Sequence, residues 1–315
     1  MTGGRLERVL VTGGTGFLGR PLVDALRPLA GAVAVLARRP PVAPVPGAAF
    51  LPGDCAEGDS LREPFEAVRP TAVLHLAGLA SPRKAEEDPE GAFAANALGT
   101  LHALEAASSR APGALFLLAS SAHVYGSAAG ALREQDPREP RTVYGRTKAA
   151  AETLASAFAA RGGLEVRIVR IFNLVGPGQG AEYALGSFAR QVAAIEAGRV
   201  PPILRVGALD VRRDFLDVRD AVRAILALAT AEGSTGLAYN LGSGRAVAVR
   251  DLLEALLARA RVRPEVEVDP ARLRAGEPAE VCASIDRLSK ATGFEPRIPL
   301  ERSAADVLDE ARRAG

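Results

Sequence analysis

The chain has 315 residues, 48% of them hydrophobic, and a net charge of only +2 from 39 basic and 37 acidic side chains. That balance excludes a strong basic field for neutralising nucleic-acid phosphates, and two cysteines exclude a disulfide scaffold or a cysteine-rich zinc site. His75, His102 and His123 lack metal-ligand spacing, and no run approaches the ~18–20 apolar residues that span a bilayer. The start shows no long apolar signal core. A soluble cytoplasmic protein with no metal, membrane or nucleic-acid partner is the expectation.

In chain order, Val9–Val11 reads as a short buried parallel strand ending in Thr12-Gly13. A helix over about Phe17–Leu29 and a strand over Val33–Ala37 complete a βαβ unit. Pro40–Pro46 is a proline-rich connector without regular structure. The alternation continues through a strand at Ala72–Leu76, a helix near Gly91–Arg110 and a strand at Ala114–Ala119. An alanine-rich helix at Tyr144–Arg161 and a strand at Val166–Ile171 follow. Regularity then breaks in the Gly/Pro-rich stretch 173–210, with a helix near Tyr183–Ala197. A strand at Phe215–Val218 and a helix at Asp220–Ala231 resemble the earlier unit. The tail holds a helix at Val249–Ala260, a charged loop at Asp269–Glu280 and a last helix near Arg302–Arg313. The predicted fold is α/β: a Rossmann-type doubly wound parallel sheet with a smaller, discontinuous C-terminal substrate-binding domain. Residues 1–172 plus about 210–233 form the dinucleotide-binding part. About 173–209 plus 234–315 form the substrate-binding part.

Gly13, Thr15, Gly16, Phe17, Leu18 and Gly19 belong to a turn between the first strand and the first helix. A dinucleotide pyrophosphate needs a tight turn, close backbone and a helix N-terminus with free N–H groups. A plain glycine-rich turn is the alternative, but the position inside a βαβ unit is the confirming context. The second strand ends in Arg38-Arg39, and no acid lies between Asp24 and Asp54. NAD-selective sites place an acid there for the ribose hydroxyl, whereas arginine suits the 2′-phosphate of NADP. The pair predicts NADP(H), with a solvated strand-end pair as the alternative.

Ser120-Ser121 end an apolar strand, where α/β folds place their chemistry. Tyr144 and Lys148 are four residues apart on one helical face. The cation is expected to lower the phenol from about 10, giving an acid/base for a carbonyl or alcohol oxygen.

With these residues assembled, the chain resembles the extended short-chain dehydrogenase/reductases over almost its whole length. The motifs are Thr12–Gly19, Asp54, His75–Gly78, Asn96–Thr100, Ser120–Gly126 and Tyr144–Lys148. The resemblance implies a catalytic Ser121, an acid/base Tyr144, and Lys148 on the nicotinamide ribose. It places Asp54 and Cys55 beside adenine, and Leu76, Ala77 and Gly78 along the cofactor. Asn96 is included among the cofactor residues, with a bond to nearby backbone as its alternative.

The second half, through Arg170–Gln179, Arg213–Asp220, Tyr239–Gly244, Asp269–Arg274 and Thr292–Leu300, is similar to the nucleotide-sugar-modifying branch. Within that branch it resembles the GDP-4-keto-6-deoxymannose reductases, with the GDP-mannose dehydratases close behind. This implies a GDP- or dTDP-linked sugar held by Ser121, Ala122, His123, Tyr144, Asn173, Arg213, Arg274 and Glu277, with a satisfied structural histidine as the alternative for His123. Two arginine forks suit a diphosphate; surface ion pairs are the alternative for each. Dehydratases carry acids after the catalytic serine, but Ala122 and His123 stand here. The expected activity is NADPH-dependent reduction of a nucleoside-diphosphate 4-keto-6-deoxyhexose. The alternatives are a 4-epimerase with tightly bound NAD and a non-catalytic NADP-binding protein. A homodimer through a four-helix bundle, built on 91–110 and 147–161, is also expected.

Overall fold

The computed structural model describes residues 5–40, 45–126, 128–233, 235–273 and 278–314. The first half runs β1 (Arg8–Thr12), α1 (Gly19–Leu26), β2 (Ala32–Ala37), β3 (Ala49–Pro52), α2 (Arg62–Val68) and β4 (Ala72–His75). It continues with α3 (Pro82–Glu87), α4 (Pro89–Phe93), α5 (Gly99–Arg110), β5 (Leu115–Ser121), β6 (Gly130–Leu132), α6 (Val143–Arg161) and β7 (Glu165–Ile171). The second half runs β8 (Asn173–Val175), α7 (Ala184–Glu196), β9 (Ile203–Val206), β10 (Arg212–Asp217), α8 (Val218–Thr230) and β11 (Leu237–Leu241). Last come β12 (Ala246–Ala248), α9 (Val249–Leu257), β13 (Glu265–Val268), β14 (Glu280–Ala283), α10 (Asp286–Thr292) and α11 (Leu300–Ala314).

Seven parallel strands form the main sheet in the order β11-β7-β5-β4-β1-β2-β3. The chain runs outward from β1 through β2 and β3. It then returns to β4 on the other side of β1 and runs outward to β11. The carboxyl ends of β1 and β4 therefore flank a topological switch point, where such sheets bind ligands. The sheet is buried on both faces because its strands alternate between two cores. Val9 and Val11 pack with Leu22, Val23 and Leu26 of α1 and Ile225 and Leu228 of α8. Leu10 packs on the opposite face with Phe65, Leu104, Ala107, Ala151 and Ala155 from α2, α5 and α6. A third core joins α7, α9, α11 and β9 through Phe188, Leu252, Val206 and Leu308.

Several expected boundaries move. The single helix expected over 91–110 is interrupted by a π-helical turn at 94–98. Within the expected charged loop, residues 270–272 form a 3₁₀ turn and Glu280 opens β14. Residues 41–44 of the proline-rich connector lie outside the described residues. Strands also change sheets. Leu237–Leu241, expected with the substrate-binding part, pairs parallel to β7 in the main sheet. Arg212–Asp217 and Gly130–Leu132, expected with the dinucleotide part, join a second sheet in the order β12-β10-β14-β6. β8 pairs with β10, and β13 pairs with β9. Apolar periodicity reports how buried a strand is, not which strand it pairs with.

Candidate active site

The turn after β1 is held by contacts that tolerate no side chain. At Gly13, with φ +70°, an added Cβ would lie 2.7 Å from the Ala77 amide nitrogen. At Gly19 it would lie 2.2 Å from the Gly13 carbonyl oxygen. Gly13 and Gly19 thus close the turn against the segment after β4 and against itself, and Gly13 is needed for this packing. At Gly16 the Cβ would meet only the Gly13 oxygen, at 3.3 Å, so the turn remains open on its exposed side. Thr12 ties the ends of β1 and β4 together: its carbonyl accepts from Leu76 N at 3.1 Å and its hydroxyl from Ala77 N at 3.2 Å. An open backbone cradle at the switch point, leading into α1, fits a dinucleotide pyrophosphate. Arg38 and Arg39 are exposed at the end of β2, with Arg38 Nη1 3.9 Å from Asp54 Oδ2. Cys55 is buried in the core below α5, and burial pushes its thiol up to about 12.

The carboxyl end of β5 meets the start of α6. Ser121 caps a 3₁₀ turn over 122–125, its Oγ accepting from His123 N at 3.3 Å. Thr142 caps α6 by accepting from Gly145 N at 3.0 Å. A Cβ on Gly145 would lie 2.5 Å from the His123 carbonyl oxygen, so the lack of a side chain lets helix and turn touch. Tyr144 is thereby set beside the Ser121 hydroxyl, and the His123 ring packs edge-on against its phenol at 5.2 Å between centroids. Lys148, one turn later and buried, donates to the Ala119 carbonyl at 2.9 Å.

The expected lowering of the Tyr144 phenol is reversed. Burial pushes it up to about 12; the neighbouring Ser121 hydroxyl opposes the rise and Tyr183 adds to it. Burial also pulls the Lys148 amine down to about 8, against the charge of Glu152. The site at rest therefore holds a protonated phenol, suited to donate a proton. Among the described residues no cluster fit to hold a metal ion is present, and no helix is long and apolar enough to cross a membrane.

Residues 9–242 match the NAD dependent epimerase/dehydratase family. The chain belongs to that family. A family member, GDP-6-deoxy-D-mannose reductase from Pseudomonas aeruginosa, is 37% identical over 307 residues, covering 96% of this chain and 97% of the relative. The dTDP-6-deoxy-L-talose 4-dehydrogenase (NAD(P)(+)) of Kitasatospora kifunensis is 32% identical, covering 95% and 94%. Among solved structures, RMD from Pseudomonas aeruginosa complexed with NADPH superposes with a TM-score of 0.85 at 34% identity, covering 98% of this chain and 100% of that one.

Other expected site residues of this epimerase/dehydratase family member are distributed as follows. Asn96 is buried, and its amide is spent on the protein: Oδ1 accepts from Leu79 N at 2.8 Å, while Nδ2 donates to Leu79 O at 3.2 Å and Thr147 Oγ1 at 2.9 Å. The structure thus realises the backbone-bonding alternative for Asn96. Asn173 donates to the Asp214 carbonyl at 3.0 Å, and Arg213 Nη1 donates to the carbonyls of Arg212 and Pro278, both at 2.9 Å. Arg274 and Glu277 lie outside the described residues.

Three residues were missed from the sequence. Asp214 is buried and accepts from Ser243 N at 2.6 Å, Gly244 N at 3.0 Å and Ala283 N at 3.1 Å, anchoring the strand that carries Arg213. His75 is buried between Thr12 Oγ1 at 2.9 Å and Thr100 Oγ1 at 3.2 Å. Tyr183, at the N-terminus of α7, is close enough for Tyr144 to feel its charge. The acid beside Arg213 and the place of His75 in the His75–Gly78 motif were the available signals, and nothing in the local pattern marks Tyr183.

Proposed function

We propose that this protein is an NADPH-dependent reductase of a 4-keto-6-deoxyhexose linked to a nucleoside diphosphate, GDP or dTDP. The observation that carries the reading is the buried, protonated Tyr144 beside Ser121 at the carboxyl end of β5, next to the open glycine turn. NADPH, when bound, supplies the hydride for the sugar C4. Its pyrophosphate would rest on Gly13, Thr15, Gly16, Phe17, Leu18 and Gly19, and its 2′-phosphate on Arg38 and Arg39. Asp54 and the backbone of Cys55 would border the adenine, with Leu76, Ala77 and Gly78 along the ribose. Ser121 and Tyr144 both direct a donor at the C4 oxygen, where charge develops during reduction. Tyr144 gives that oxygen its proton, and Lys148 holds the nicotinamide ribose and stabilises the tyrosinate left behind. Asn173, Arg213, Arg274 and Glu277 would take the nucleotide-sugar side, with Ala122 and His123 beside the hexose.

Support for the substrate class comes from the likeness to a GDP-6-deoxy-D-mannose reductase and from the NADPH held by RMD. Ala122 and His123, where an eliminating dehydratase carries acids, favour simple reduction. We place the protein in the cytoplasm as a homodimer. Phe93 and Leu98 are 48% and 37% exposed next to α5 and support a helical interface there. Ala103, Ala107, Ala151 and Ala155, however, cover the chain's own sheet. The test is NADPH oxidation with GDP- and dTDP-4-keto-6-deoxy sugars, followed by NMR of the product. Redox-neutral turnover with NAD retained through gel filtration would instead establish a 4-epimerase.

A further inference from the structure

Glu152 is completely buried on α6, one turn after Lys148 and two after Tyr144, on the same helical face. Its Oε1 accepts from Ser120 Oγ at 2.6 Å and Arg170 Nε at 2.9 Å; its Oε2 accepts from Arg170 Nη2 at 2.7 Å and Arg138 Nη1 at 3.2 Å. Three consecutive residues of β5 therefore receive three consecutive turns of α6. Tyr144 sits beside Ser121, the Ala119 carbonyl takes the Lys148 amine, and Ser120 bonds Glu152. Arg170 is the register partner of Ser120 on β7. Its other arm donates to Tyr125 Oη at 2.9 Å, and Tyr125 donates to Asn240 Oδ1 at 2.7 Å. The network thus continues from α6 into the turn after Ser121 and the edge strand β11. A buried ion pair is a costly way to hold a helix, since apolar packing does so at least as well. Charge at this depth points to a use for charge.

We infer that Glu152 is a positioning residue: its carboxylate supplies the countercharge for the Lys148 ammonium and registers the Tyr144–Lys148 face of α6 on the end of β5. The inference rests on the reading of Tyr144 and Lys148 as the proton-transfer pair. Of the other acids near this stripe, Glu86 is exposed and accepts from Val143 N, and Glu134 accepts from Asn240 N, which leaves Glu152 as the negative charge that Lys148 feels. His75, from β4, is held neutral by burial, which pushes it down to about 3. Tyr144 is protonated, while Arg170 from β7 and Arg138 from the segment before α6 are cations bound to Glu152 itself.

The chain contains three lysines, and Lys84 and Lys290 are exposed, so lysine side-chain NMR of isotopically labelled full-length protein reads Lys148 directly. Glu152→Gln should lower the Lys148 midpoint by about one pH unit, and the alkaline limb of kcat/KM for nucleotide-sugar reduction should follow. That variant leaves Arg170 buried without its partner. The double variant Glu152→Gln/Arg170→Gln removes both charges, whose effects on Lys148 oppose one another, and should fold and show a smaller fall than Glu152→Gln. Ser120→Ala, which keeps the carboxylate, should leave the midpoint in place. An unshifted midpoint in Glu152→Gln overturns the inference, as does a double-variant midpoint above the native one or an equal shift in Ser120→Ala. A shifted midpoint with an unmoved kinetic limb upholds it and refutes the role of Lys148 in proton transfer.

Discussion

Burial determines the chemistry of individual residues here. Tyr144, pushed up to about 12, is a proton donor across the whole neutral range. Tyr144→Phe removes that proton and keeps the ring, so turnover should fall by at least the ~10²–10⁴-fold associated with general acid catalysis. NADPH affinity, measured by fluorescence titration, should change little. His75 has a different consequence. Its imidazole is pushed down to about 3 because it is buried. Below the ordinary histidine value of about 6.5, the unfolded chain binds a proton that the folded chain refuses. Stability contributed by His75 is therefore complete above about pH 6.5 and declines as pH falls towards 3. Thermal melts should show Tm dropping through that window, and His75→Asn should flatten the slope while lowering Tm overall. At the end of β2, replacing Arg38 and Arg39 with Ala should weaken NADPH far more than NADH, since only the former carries the 2′-phosphate. Equal losses, measured by isothermal titration, would remove the pair as selector.

At the scale of elements, the site is a junction between a strand end and a helix start. α6 meets the 122–125 turn only because Gly145 has no side chain. Gly145→Val should push the helix away from His123 and lengthen the Ser121–Tyr144 contact. Misplacement by about 1 Å costs up to ~10²-fold in rate. The expected result is a large fall in kcat with a folded far-UV spectrum and nearly native NADPH affinity. The π-helical turn at 94–98 serves the same junction from the other side. It carries Asn96, which links the segment after β4 to Thr147 in α6. The glycines of the first turn are divided in the same way: Gly13 and Gly19 satisfy packing, and Gly16 leaves the approach open.

For the whole molecule, the main feature is the repeated crossing of the chain between sheets. β6 leaves the first half to pair with β14, and β11 returns from the second half to pair with β7. Asn240 on β11 bonds both Tyr125 and the Leu132 carbonyl, the latter at 2.9 Å, so the crossings are also joined by side chains. Arg213 is carried on β10 in the second sheet, whose anchor is Asp214. Arg213→Ala should raise KM for the sugar nucleotide ~10- to 150-fold, the loss of one charge-assisted pair of about 1.5–3 kcal/mol. Kd for NADPH should not move, because the proposed seat of that pyrophosphate is the Gly13–Gly19 turn. Sedimentation at micromolar concentration should give a dimer, and Phe93→Lys with Leu98→Lys should give a monomer.

Local sequence was enough for the alternating strands and helices of the first half, the glycine turn and the Tyr144/Lys148 pair. These are short-range features: one turn of backbone, one helical repeat, one apolar run. The strand-end position of Ser121 was legible for the same reason. Tertiary structure alone decided the rest. The direction in which Tyr144 titrates depends on burial, which neighbours 20 or more residues away create. Whether Asn96 faces a ligand or the backbone depends on Leu79 and Thr147 reaching it. Glu152 reads as one more acid in an alanine-rich helix until β5 and β7 bring Ser120 and Arg170 to it. The partners of β6, β10 and β11 were hidden because a strand's own pattern records how much water it meets, and pairing is settled only when distant segments compete for the same edge.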